Sequence, residues 1–132
     1  MGKADPFMNE PARFRATTPV LTVRSIPEAT RFYTSCLGFT LDFTYGNPPV
    51  YAGLFRDAVE IHLIEEMSPN ARQPVGSGNL SILTSEVDDL CHQLANAGVE
   101  ILVEPANRDY GLRDFSCKDP DGNIFNFGTE VR

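Results

Sequence analysis

Apolar and polar positions along the chain change period several times, and each change marks an element. Pro19 to Val23 is rich in β-branched residues and predicts a strand. Ser25, with Glu28 three residues on, has the spacing of a helix N-cap with its capping box. Ala29, Phe32, Tyr33, Cys36 and Leu37 then recur at helical spacing until Gly38 ends the helix. Leu41, Phe43 and Tyr45 alternate with Thr40, Asp42 and Thr44, a period-two strand closed by the turn Gly46-Asn47-Pro48-Pro49. Val50 to Phe55 and Val59 to Ile64 predict two more strands, hinged near Arg56-Asp57.

Residues 67–78 carry prolines, glycines and small polar residues, a linker composition, and then the order repeats. Asn79 to Leu83 is a strand and Ser85, with Asp88 behind it, a second N-cap. Val87, Leu90, Cys91, Leu94 and Ala97 form a helical stripe ended by Gly98. Val99 to Val103 predicts a strand bounded by Pro105, followed by a loop over 106–111 and a strand from Leu112 to Cys117. Asp119-Pro120-Asp121-Gly122 is a turn with Gly122 at the positive-φ position, and Asn123 to Gly128 is the last strand. The expected fold class is therefore α+β: a polar tail (1–16), a βαβββ module (17–66), a linker (67–78) and a second βαβββ module (79–130). One helix covers only one face of a sheet, so the other face needs a partner or lines a cavity. Curling the two mixed sheets together makes a cup walled by those second faces.

Period two assigns the cavity-facing residues as Glu60, His62 and Ile64, Asn79 and Ser81, Asp114 and Ser116, and Asn126. A metal centre needs three or four converging His, Cys, Asp or Glu side chains. The chain has two histidines, His92 on the polar side of the second helix and His62 beside Glu60, so only a partial ligand pair is visible. Asp119, Asp121 and Asn123 imitate a calcium loop, but Ile124 stands where that loop needs glycine. Gly76-Ser77-Gly78 lacks the lysine of a phosphate loop. Glu60 and Asp114 suit either acid/base chemistry or attraction of a cation. Phe43, Tyr45, Tyr51, Phe55 and Tyr110 fall where they would rim the cup, and aromatic walls stack planar ligands and hold cations.

Charge narrows the partners. Eighteen acids against eleven bases leave the 132-residue chain at −7, which argues against nucleic acid and anionic membrane and favours a cationic small molecule. Cys36, Cys91 and Cys117 form no C-x-x-C and sit among apolar neighbours, as reduced core thiols of a cytoplasmic protein do. Residues 1–16 carry no apolar signal-peptide core, and no run is long enough to span a membrane.

The pattern Val23-x8-Phe32-Tyr33-x3-Leu37-Gly38-Phe39 resembles the first module of the vicinal oxygen chelate superfamily, which includes glyoxalases, extradiol dioxygenases and bleomycin-resistance proteins. Tyr110-Gly111-Leu112-Arg113-Asp114-Phe115-x3-Asp119-Pro120-Asp121-Gly122-Asn123 is similar to the bleomycin-resistance branch. The resemblance implies the glyoxalase/bleomycin-resistance fold across about 17–130. It puts the enzymes' metal-ligand positions at Thr18, Glu60, Asn79 and Asn126, of which only Glu60 is an ordinary ligand type. It therefore implies no cofactor and a homodimer that sequesters a cationic or aromatic ligand such as a glycopeptide antibiotic. The binding wall would be Phe43, Tyr45, Tyr51, Glu60, His62, Asn79, Tyr110, Asp114, Ser116 and Asn126, with Glu60 and Asp114 supplying negative charge. The alternative is a metal-dependent lyase, isomerase or dioxygenase of the same fold, built on Glu60 and His62.

Overall fold

The computed structural model describes residues 10–131. The elements are β1 (Val20–Val23), α1 (Ile26–Ser35), β2 (Thr40–Tyr45), β3 (Tyr51–Arg56) and β4 (Val59–Glu65), then β5 (Asn79–Leu83), α2 (Val87–Asn96), β6 (Glu100–Asn107), β7 (Leu112–Lys118) and β8 (Ile124–Glu130). They build two four-stranded mixed sheets, ordered β1-β4-β3-β2 and β5-β8-β7-β6. In each, the first strand runs parallel to the last and the other pairs are antiparallel. This is the α+β fold of two βαβββ modules. No helix among the described residues is long and apolar enough to cross a membrane.

Both helices lie on the same kind of face. Ile26, Ala29 and Tyr33 of α1 bury against Leu21, Val23, Leu54, Ile61 and Leu63. Val87, Leu90, Cys91 and Leu94 of α2 bury against Phe115, Cys117, Phe125 and Phe127. The two sets form one continuous core, joined where the Tyr33 ring meets Phe125 edge to face at 5.8 Å. Burying such side chains contributes about 1.5–3 kcal/mol each, so the helix-side faces dominate the stability of the fold. Burial also raises the Cys117 thiol to about 12, consistent with a protonated core thiol.

Three local expectations change. Ser85 does not cap α2: the residue before the helix is Glu86, in the left-handed region at φ 51 with no side-chain cap bond. The other end of α2 closes as expected, with Gly98 N–H donating to Ala95 O and Val99 N–H to Leu94 O, a Schellman pair. Pro105 does not bound β6, which continues to Asn107. β6 is a sheet edge with register shifts on both sides of Val103, so an imino nitrogen there interrupts no ladder. In β2, a bulge between Leu41 and Phe43 breaks the alternation. Leu41 pairs with helix-side Leu54, whereas Phe43 pairs with Gly53 on the open face.

The seam between modules is polar and buried. Asp119 and Asn123 are 2% and 0% exposed. Asp119 accepts from Tyr33 Oη at 2.6 Å and from Asn123 Nδ2 at 2.9 Å on one oxygen, and from the Asp121 and Asn123 amides on the other. Asn123 in turn accepts from the Gly78 amide and donates to Thr22 O. The Asp-Pro-Asp-Gly-Asn segment is thus a turn, as read, and also the clasp between α1, β1, the linker and the second sheet.

Candidate functional site

The sheet faces turned away from the helices carry the polar side chains that alternation assigns to them. Glu60 and His62 flank Ile61, which is fully buried on the helix side. Asp114 and Ser116 flank buried Phe115, and Asn126 lies between buried Phe125 and Phe127. The structure gathers these residues into three groups rather than one.

The first group lies on the first sheet. Tyr51 Oη and His62 Nδ1 are 2.7 Å apart, and His62 Nε2 and Glu60 Oε2 are 2.7 Å apart. In the tautomer whose Nε2–H donates to the Glu60 carboxylate, Nδ1 accepts and Tyr51 O–H donates. Phe43 completes the group, edge-on to His62 at 5.4 Å and stacked beside Tyr51 at 6.3 Å. Desolvation, and then the Glu60 charge, raise the Tyr51 hydroxyl above its ordinary range, so it stays protonated and keeps donating. In that tautomer both protons of the chain point inward along it. What remains for a visitor is acceptors: the Tyr51 oxygen and the second oxygen of Glu60. Tyr45, 71% exposed, extends the aromatic surface.

Gly53 makes this group possible. It pairs with both Phe43 and His62, and a Cβ there would run into the Phe43 ring. Gly53→Ala is expected to swing the ring off His62 into solvent, at a stability change of under about 1 kcal/mol because a half-exposed ring can move. The check is the ring-current shift on the His62 carbon-bound protons. Unchanged shifts in the variant would show that Phe43 does not rest there.

The second group lies on the other sheet. Ser116 Oγ donates to Asn126 Oδ1 at 3.0 Å, and Asn126 Nδ2 donates to Asn79 Oδ1 at 2.8 Å and Leu80 O at 3.0 Å. In the third, Asp114 accepts from Arg108 Nε at 2.8 Å and from Tyr110 Oη at 2.6 Å. Tyr110, then Arg108, hold the Asp114 carboxyl below the usual carboxylate range. The expectation that Asp114 adds negative charge for a ligand changes accordingly: its charge is matched by Arg108, and it ties down the β6–β7 loop. Alternation placed Asp114 on the right face. It carried no signal for Arg108, six residues away across a loop. Among the described residues, no hydrogen bond, ion pair or ring contact joins the first group to the other two. A shallow cavity of about 390 Å³ does run between the sheets, lined by Pro19, Glu60, Leu80 and Ser81 among others.

The four positions that would hold a metal in this fold do not fit one. Thr18 offers a neutral hydroxyl and the Asn79 and Asn126 amides bond each other, which leaves Glu60 as the one ordinary ligand type of the four. Among the described residues, no three His, Cys, Asp or Glu side chains converge.

Known structures match this architecture over nearly the whole chain. A virulence protein from Salmonella typhimurium is 29% identical with a TM-score of 0.71, covering 91% of this chain and 99% of its own. An integron cassette protein from the mobile metagenome of V. cholerae is 28% identical with a TM-score of 0.74, covering 92% and 99%. A bleomycin-binding protein from bleomycin-producing Streptomyces verticillus, solved with copper(II)-bleomycin, is 25% identical with a TM-score of 0.70, covering 92% and 99%. The model of the glyoxalase/bleomycin resistance protein/dioxygenase superfamily matches residues 15–127, and the chain belongs to that superfamily.

Proposed function

We propose that this chain is a metal-free binding protein that sequesters a cationic or aromatic small molecule, of the kind a bleomycin-type glycopeptide represents, in the cytoplasm. The observation that carries the reading is the group of Phe43, Tyr51, His62 and Glu60. It offers ring surface and hydrogen-bond acceptors around one carboxylate whose second oxygen has no partner among the described residues. Such a surface suits a ligand with ammonium or amide N–H groups on a flat body. The poor donor set at the four metal positions and the antibiotic bound by the Streptomyces verticillus relative support the same reading. Exposed apolar residues, among them Phe43 and Leu102 and Val103 on the edge strands β2 and β6 and Phe55 on β3, support a homodimer in which a second copy closes the open faces.

Calorimetric titration with metal-free bleomycin tests the function. Saturable binding is expected, weakened about tenfold or more by Glu60→Gln, because a charge-assisted hydrogen bond is worth about 1.5–3 kcal/mol. Asp114→Asn is expected to act less, since Arg108 already matches that charge. Unchanged affinity in Glu60→Gln would remove the acidic anchor from the proposal. Stoichiometric zinc, nickel, manganese or iron in untagged protein, lost with Glu60→Gln, would overturn the metal-free reading. A sedimentation mass of 14.6 kDa in the same buffer would strike out the dimer.

A further inference from the structure

A second recess lies on the helix side, between the modules, and none of Phe43, Tyr51, Glu60 and His62 lines it. It encloses about 180 Å³ and is walled by Leu37, Phe39, Val59, Leu90 and Phe127. These are helix-side core residues of both modules, so the recess is a gap in the shared core that reaches the surface. At its mouth stand Arg56 and Asp57 of the β3–β4 turn, with side chains 41% and 92% exposed.

The state of Arg56 gives the recess its chemistry. Nη1 donates to Leu37 O at 2.9 Å, which holds the guanidinium beside the end of α1. Nε is 3.9 Å from the Asp57 carboxylate, beyond hydrogen-bond reach. Nε and Nη2 make no hydrogen bond among the described residues. Those two nitrogens form the side-on fork that matches both oxygens of a carboxylate. An apolar slot thus ends in an anchored, half-exposed guanidinium whose Nε–Nη2 edge makes no hydrogen bond and has the exposed Asp57 carboxylate beside Nε. Its volume slightly exceeds the roughly 150 Å³ of a leucine- and phenylalanine-lined cavity that holds benzene, so it takes about six carbons. The opposing charge nearest this edge is Asp57, 3.9 Å from Nε, whose 92% exposed side chain can turn to solvent when an anion enters, and exposed charges beyond about 10 Å are largely screened at 0.1 M salt.

We propose that this recess is a second ligand site, which takes a small amphipathic carboxylate with its apolar end among Phe39, Leu90 and Phe127 and its carboxylate on the Nε–Nη2 edge of Arg56, in place of Asp57. The site is separate from the aromatic group on the open face and does not rest on the function proposed for it.

Hexanoate and hexylamine, which share a tail and differ in charge, are the probes, titrated into isotope-labelled full-length protein and followed by NMR. Hexanoate is expected to saturate with a Kd on the order of 1 mM, as suits a ligand of this size. Its methyl group should show NOEs to the Phe39 and Phe127 rings. Hexylamine should bind at least about tenfold more weakly, and Arg56→Gln should weaken hexanoate by a similar factor. Glu60→Gln should leave hexanoate binding unchanged. Equal binding of the two probes, NOEs to Phe43 or Tyr51 instead, or no saturation by about 20 mM would each overturn the proposal. Should Arg56→Gln fail to fold for want of its bond to Leu37 O, the probe pair and the NOEs still decide.

Discussion

Asp119→Ala is expected to lower stability by about 4 kcal/mol, read as a fall of roughly 10–15 °C in Tm. The carboxylate is buried and accepts four hydrogen bonds, from Tyr33 Oη, Asn123 Nδ2 and the amides of Asp121 and Asn123. Alanine removes every acceptor and leaves buried donors behind, each costing about 1–3 kcal/mol if water does not reach it. Tyr33→Phe removes one donor and leaves the rest paired, so about 1–2 kcal/mol is expected there. Urea denaturation of both variants tests the pair of values. A loss in Asp119→Ala of under about 1 kcal/mol would show that the clasp contributes little to stability. The consequence reaches function, because the clasp fixes how α1 and β1 stand against the second sheet.

Gly76→Ala is expected to cost about 3 kcal/mol, from two separable causes. Gly76 has φ +75, where an L side chain costs about 1–2 kcal/mol. Its missing Cβ would also overlap the Asp121 carbonyl, and backbone cannot swing aside as a ring can. Gly98→Ala is the control. Its φ of +91 carries the conformational cost, but no atom lies within 4 Å of the added carbon. About 1 kcal/mol is expected there, and equal losses in the two variants would show that the approach of linker to turn is not close.

Why Gly76 matters was not visible in the chain. Gly76-Ser77-Gly78 reads as flexible linker, and its composition supports nothing more. The fold lays it across the Asp121-Gly122 backbone, with the Gly78 amide donating to Asn123 Oδ1, so its glycines are steric requirements. Asp119 and Asn123 were misleading in the same way, as polar residues in a turn signature with nothing local to mark them as buried. Tyr33 read as core through its helical spacing, which was right, but its hydroxyl partner lies 86 residues on.

The site divides along the same line. Alternation placed Glu60, His62, Asp114, Ser116 and Asn126 on the open faces, because side chains in a strand change sides at every residue and buried neighbours identify the other side. It could not say which of them meet. Phe43, Tyr51 and His62 come together through the register of three strands, a bulge at β2 and the absence of a side chain at Gly53. Register is a long-range property, and one strand's sequence does not contain it.

What the sequence determined by itself is the order of elements, the two-module architecture, the helix-side core and, outside the bulged strands β2 and β6, the side to which a strand residue turns. All of these follow from local periodicity, and burial of the apolar face enforces them. Only the tertiary structure decided that Asp114 is paired with Arg108, that Asp119 is buried and that the polar residues form three groups. It also decided that a recess opens beside Arg56. Each of these depends on which distant segments are brought within hydrogen-bonding or packing distance, and that is settled when the two modules close over one core.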